Sequence, residues 1–157
     1  MKKIFFLILV LVTIAACKNE TKTADEVVTI PKNKIVDEPK NIILEKGCFE
    51  YNSNGNAIKM EITEVAENVK GNLDIVYAEK DSNHGTFVGK VNNNKLIGTY
   101  IFKSEGTESS REIAFLVEEN QLIEGYGELN NDGTKFKDTA TIKYTSTMPL
   151  LKVDCVK

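Results

Sequence analysis

Three kinds of side chain in this sequence carry chemistry that its composition does not require. They are a lone histidine, one arginine beside nineteen lysines, and two glutamates that flank a tyrosine. A Ser/His/Asp relay would have to use His84, which lies in the turn-rich junction Asp81-Ser82-Asn83-His84-Gly85. No GxSxG elbow frames any serine, so His84 is read as a solvated turn residue. One histidine without a CxxC spacing makes no metal-ligand set, and no metal or cofactor is expected.

Glycoside hydrolysis needs two carboxylates across a cleft. Glu124 and Glu128 share one face of the run Leu122–Leu129, with Tyr126 between them. Two registers compete. If Ile123, Gly125, Gly127 and Leu129 point inward, the glutamates are solvated. This is the expected case, because buried carboxylates are costly unless paired. If Leu122, Glu124, Tyr126 and Glu128 point inward, the interior is acidic and aromatic-lined, and suits a cationic or hydroxylated ligand. Arg111 is by default a surface charge. Its alternative is a planar, bidentate fork that faces Glu124 from the adjacent strand. Tyr77, Tyr100, Tyr126, Phe87 and Phe102 fall on or near glycine-bearing faces. Core packing is their default, and lining a cavity open at one barrel end is the alternative. The candidate ligand-lining set is Tyr77, Tyr100, Phe102, Arg111, Glu124 and Tyr126.

The elements that would position these residues are strands. From about residue 47 apolar residues recur with period two, as in Ile58-Met60-Ile62, Val69-Gly71-Leu73-Ile75-Tyr77 and Leu96-Gly98-Tyr100-Phe102. Turn chemistry separates the runs: Asn52-Ser53-Asn54-Gly55-Asn56, Asn68, Asp81-Ser82-Asn83, Asn92-Asn93-Asn94, Ser104-Glu105-Gly106, Glu119-Asn120 and Asn130-Asn131-Asp132-Gly133. Eight strands are expected, at about 48–52, 57–65, 69–79, 85–92, 95–103, 111–119, 121–129 and 139–146, with a short tail strand at 151–155. No helical stripe competes. Loops 80–84, 104–110 and 130–138 are the longest polar candidates. Gly71, Gly89, Gly98, Gly125 and Gly127 sit inside strands, where glycine permits the coiling a small barrel needs.

The ends of the chain speak to its address. Met1-Lys2-Lys3 is a short basic start, and Ile4–Ile14 is an apolar run of eleven residues. That run is too short to span a bilayer and fits a signal-peptide core. Ile14-Ala15-Ala16-Cys17 resembles the lipobox of bacterial lipoproteins. The resemblance implies that residues 1–16 are a signal peptide and that Cys17 is acylated, palmitate included, as the first mature residue. Lipid chains of this kind hold a domain on a membrane without a transmembrane helix. The implied location is the cell envelope, at the outer membrane. Residues 17–44 then form a lipidated tether with no aromatic residue and mixed charges, reaching about 30 Å r.m.s..

Once Lys2 and Lys3 are removed, 18 basic residues stand against 23 acidic ones and the formal charge moves from −3 to −5. With no basic cluster, nucleic acid is not an expected partner. Cys48 and Cys155 remain as an even pair in an oxidising compartment, which reads as a disulfide. The bridge would join the two ends of a meander whose edges would otherwise be exposed.

The expected fold is therefore all-β: a single antiparallel up-and-down β-barrel of about eight strands, closed by a terminal disulfide and spanning 45–157. Its pattern resembles the lipocalin-like and avidin-like calyx architectures and the small barrels of lipoprotein lysozyme inhibitors. The GxW start of lipocalins is absent, and the chain has no Trp. The expected function is a non-catalytic, monomeric, membrane-tethered binding module for a small apolar or amphipathic ligand or an envelope component. The alternative is a protein-interaction module, either an enzyme inhibitor or an accessory subunit of an outer-membrane complex. No catalytic residues are assigned.

Overall fold

The computed structural model describes residues 42–156, so the expected signal peptide, Cys17 and all but the end of the tether lie outside the described residues. Seven strands follow one another as a meander: β1 (Gly47–Ser53), β2 (Asn56–Val65), β3 (Val69–Val76), β4 (Asn83–Asn92), β5 (Lys95–Ser104), β6 (Thr107–Glu118) and β7 (Gln121–Tyr126). A 3-10 turn at Thr139–Thr141 leads to β8 (Lys143–Tyr144) and β9 (Leu150–Val153). Each strand pairs antiparallel with the next from β1 to β7, and β9 pairs with both β7 and β1. The result is a closed eight-stranded antiparallel barrel, with β8 and β9 together forming the eighth strand.

The turn chemistry acts as expected. Asn54-Gly55, Asn93-Asn94 and Glu105-Gly106 are two-residue connections in which both residues have positive φ. This is the mirror-image turn whose twist matches that of the flanking strands.

The end of the chain departs from expectation. The strand expected at 139–146 is reduced to the two residues of β8, and the barrel is closed by β9 instead. The registers show why. Tyr144 sits opposite Gly125, but Leu150 sits opposite Leu122, so the eighth strand carries three more residues than its partner between those points. Pro149 falls in that interruption, where it has no ladder hydrogen bond to donate. The seventh strand also stops at Tyr126 and not near residue 129, while β6 begins four residues earlier than expected.

Inward positions fill the barrel axis. Met60, Leu73, Phe87, Leu96, Tyr100, Phe115, Leu122 and Leu150 are all at most 2% exposed. The inward glycines create no hollow: the Phe87 ring lies over Gly71, where a Cβ would sit 2.7 Å from it. Gly89 and Gly98 oppose each other, with each missing Cβ within 3 Å of the other's Cα. Leu44, expected at the end of the tether, is instead buried in the core.

Cys48 and Cys155 form the disulfide, with Cα atoms 5.2 Å apart. The bridge lies at the end of the barrel where β1 begins and β9 ends. The turns after β2, β4 and β6 share that end; those after β1, β3, β5 and β7 lie at the other.

Candidate functional site

The end opposite the disulfide gathers the polar residues. Strands β6 and β7 pair only from Phe115↔Glu124 to Glu118↔Gln121. Beyond Glu124 that pairing ends, while β7 keeps β8 on its other edge. The segment after β7 returns as a hairpin, with a bridge at Leu129↔Phe136. It docks on β6 through Glu112 N–H donating to the Thr134 carbonyl at 2.7 Å and Phe136 N–H donating to Glu112 Oε2 at 2.8 Å. Asn130 Oδ1 accepts from the amides of Thr134 and Lys135, which holds the hairpin tip. Between β6, β7 and this hairpin lies a cleft of about 180 Å³ whose walls include Tyr77, Arg111, Ile113, Glu124, Tyr126 and Phe136.

Four of the six candidate ligand-lining residues therefore meet in one cleft, and the register of β7 is the one not expected. Leu122 is fully buried, and Glu124 lies opposite buried Phe115, so the Leu122-Glu124-Tyr126 face points inward. Gly125 and Gly127 point outward, where Ile142, Tyr144 and Phe136 cover them at distances that leave no room for a Cβ on Gly125. The solvated-glutamate register fails because it counts glycine as apolar filling. On β7 glycine serves to let an aromatic ring lie flat across the strand. Glu128 does not join Glu124; it is exposed and pairs with Lys137 on the hairpin. The other carboxylate that lines the cleft is Glu112, whose Oε2 accepts from the Phe136 amide.

Tyr100 and Phe102 do not line the cleft: Tyr100 is core, and Phe102 packs against it. Tyr100 is fully buried, its hydroxyl donates to the Leu73 carbonyl across the barrel at 2.7 Å, and burial pushes that hydroxyl's pKa well up. Its ring stacks on Phe102 with centroids 4.9 Å apart. The Arg111 guanidinium carbon lies 5.8 Å from the Phe102 centroid, so the arginine rests on this stack rather than in bulk solvent.

The electrostatics of the cleft are unfinished. Among the described residues, two buried polar side-chain atoms lack a hydrogen-bond partner, Arg111 Nε and the Tyr144 hydroxyl. Only the first borders the cleft. Arg111 forms no ion pair with Glu124 or with any other described carboxylate, although each feels the other's charge. Burial raises the Glu124 pKa, against the lowering effects of a Tyr126 hydrogen bond and of Arg111. The Tyr126 hydroxyl lies 3.1 Å from both Glu124 Oε2 and Ser146 Oγ. Burial also raises the pKa of Tyr77 and of Tyr126. Ser146, Ile113 and Phe136 were not anticipated; Ser146 carries no periodic signal because it sits in the interruption of the eighth strand.

His84 is on the outer wall, its Nδ1 3.0 Å from Asp74 Oδ1, with both side chains half-exposed. It lines a larger groove of about 580 Å³ between the outer face of β1–β4 and residues Val153–Val156. Among the described residues, no three His, Cys, Asp or Glu side chains come together as a metal site. No protein-family model, curated protein or solved structure matches this chain.

Proposed function

We propose that this protein is a non-catalytic envelope lipoprotein, a membrane-tethered barrel that binds one group of a larger envelope molecule in the rim cleft. The observation that carries the reading is Arg111, whose buried Nε has no hydrogen-bond partner, in one cleft with half-buried Glu124. Buried polar groups are normally hydrogen-bonded, and one left open in a concave site is a group waiting for a partner. The filled axis argues against a large apolar ligand inside the barrel. A 180 Å³ cleft is also smaller than the roughly 300–1,000 Å³ of a site that encloses a whole small molecule. It has room for one ring or head group, with the rest of the molecule outside.

The lipobox-like Ile14-Ala15-Ala16-Cys17 supports the tether, and with it a place at the outer membrane. The chain enters β1 at the disulfide end, so the cleft opens at the end of the barrel away from the entering chain. Native mass spectrometry of the full chain extracted from its own envelope tests the reading. Wild type retains a bound species that Arg111→Lys and Glu124→Gln lose. Retention of the same species by both variants overturns the cleft as its site.

A second reading, a protein-interaction module, is favoured by the 580 Å³ outer groove with its mixed Lys59, Glu61, Asp74 and His84 wall. A stoichiometric protein lost on Asp74→Lys but kept by the cleft variants would establish it.

A further inference from the structure

We infer that the group held in the rim cleft is a neutral, polyhydroxylated ring, the pyranose of a saccharide, bridged between Arg111 and Glu124. This rests on the cleft being the binding site, and the identity of the group follows from what its walls still need.

Arg111 is a donor without an acceptor: Nε is buried, unbonded and in no ion pair. Guanidinium N–H groups only donate, so a ligand that meets the arginine at the cleft wall must present an acceptor to it. Glu124 Oε2 already takes the Tyr126 hydroxyl, but a carboxylate has about four acceptor sites, so the ligand must present a donor to it as well. A carboxylate or phosphate group supplies acceptors alone and would face Glu124 with like charge. An ammonium group supplies donors alone and would face Arg111. A hydroxyl does both, and neighbouring hydroxyls on one ring offer an acceptor and a donor side by side.

The charge of the walls agrees. One guanidinium stands against two carboxylates, Glu124 and Glu112, the second held by the Phe136 amide, so the wall repels an anion. A neutral ligand meets no such repulsion. The rest of the wall is apolar or aromatic: Tyr77, Ile113, Tyr126 and Phe136, with Gly125 and Gly127 on the β7 side. A pyranose has one face of C–H bonds that lies on such rings and an edge of hydroxyls that meets Arg111 and Glu124. Tyr126, 47% exposed, is placed for such a contact at the mouth.

The sequence supplies an unusually clean probe. Arg111 is the only arginine, so the full chain gives a single arginine Nε–H correlation in an isotope-edited NMR spectrum, and that signal belongs to the cleft. Full-length protein in detergent is titrated with the methyl pyranosides of glucose, galactose, mannose and N-acetylglucosamine, and separately with alanine and with acetate. At least one pyranoside moves the Nε–H signal along a saturable curve with a midpoint on the order of millimolar, as befits a dozen heavy atoms. In Glu124→Gln the midpoint rises at least tenfold while the signal stays dispersed, which shows that the barrel remains folded. Saturation by alanine or acetate but by no pyranoside overturns the saccharide and leaves the cleft as a site for a charged group. An unmoved signal with every probe overturns the saccharide. The native mass measurement then decides the cleft by itself, because it needs no guess at the ligand.

Discussion

The two halves of β6 face different demands. Its lower half pairs with β5 on one side and β7 on the other, and Phe115 and Val117 are buried there. Its upper half keeps β5 but loses β7, and it carries Arg111 where the wall opens. One strand thus serves closure below and recognition above. The lower half satisfies every rule of a filled barrel. The upper half breaks two of them, with a side that β7 leaves and the hairpin bonds only at Glu112, and with an unpartnered buried donor, and such breaks concentrate at functional sites. The variants below ask whether that division is real, beginning where the effect is largest.

The disulfide belongs to the closing half. It links residues 107 apart in sequence, and closing so long a loop is worth about 4–5 kcal/mol in the chain-entropy account. Replacing both Cys48 and Cys155 with Ser is expected to lower unfolding stability in urea by about 4 kcal/mol, with the Arg111 Nε–H signal unchanged because the bridge sits at the opposite end. A shift of that signal on bridge removal would show that the two ends are mechanically coupled and break the comparison.

Gly89→Leu probes the waist of the barrel. A Cβ at Gly89 would lie 2.6 Å from the Ile97 carbonyl oxygen and 2.9 Å from Gly98 Cα, both backbone atoms. Neither can move aside as a side-chain tip would, so the loss is expected to reach about 3 kcal/mol, the upper end for overpacking. Denaturant midpoints measure it. A loss below about 1 kcal/mol would mean that β4 and β5 can separate, and that the core is looser than its burial implies.

Much of this division was legible in the sequence. Alternation placed the first five strands closely, because each is half-buried and each turn carries its own chemistry, Asn54-Gly55 most clearly. The Cys48–Cys155 bridge followed from parity and compartment. The inward aromatics Tyr100 and Phe102 followed from their period. What alternation could not decide was the face of β7, where Ile123-Gly125-Gly127 and Leu122-Glu124-Tyr126 are equally regular. The deciding fact was non-local: Ile142, Tyr144 and Phe136 arrive from later in the chain to cover the glycines. The closing strand was misplaced for a similar reason, since a three-residue interruption erases period two across 145–149. Arg111 and Glu124 were named as possible partners on adjacent strands. Their meeting in one cleft without pairing depends on where β7 peels away, which no local pattern records.

Tyr100→Phe removes one hydroxyl from the boundary between the halves. The Leu73 carbonyl then loses its 2.7 Å partner in a fully buried place, so a loss of about 1–2 kcal/mol is expected. Since Tyr100 is packing and not cleft, the response of the Arg111 signal to pyranosides should be kept. A lost response at full stability would move Tyr100 into the site.

The smallest expected change is also the most diagnostic, because its sign separates the two halves. Glu124 is held in a place that raises its pKa, chiefly by burial, with the Tyr126 hydrogen bond and Arg111 offsetting only part. The folded state therefore binds the Glu124 proton more tightly than the unfolded chain does. The stability that comes with that proton is fully present below the carboxyl's ordinary value, and it is lost as pH rises through the raised folded value. At neutral pH the charged form weighs against folding. Glu124→Gln keeps the shape and the acceptor oxygen for Tyr126 and removes the charge, so it is expected to stabilise the protein at pH 7. The advantage should shrink toward zero near pH 4, where wild type carries the proton as well. Urea denaturation of both proteins at the two pH values reads it directly. A variant more stable than wild type yet poorer at holding ligand is what a recognition residue produces, since strain kept in the free protein serves the bound one. A variant less stable at pH 7 would instead make Glu124 part of the framework, and the upper half of β6 would then be no different in kind from the lower.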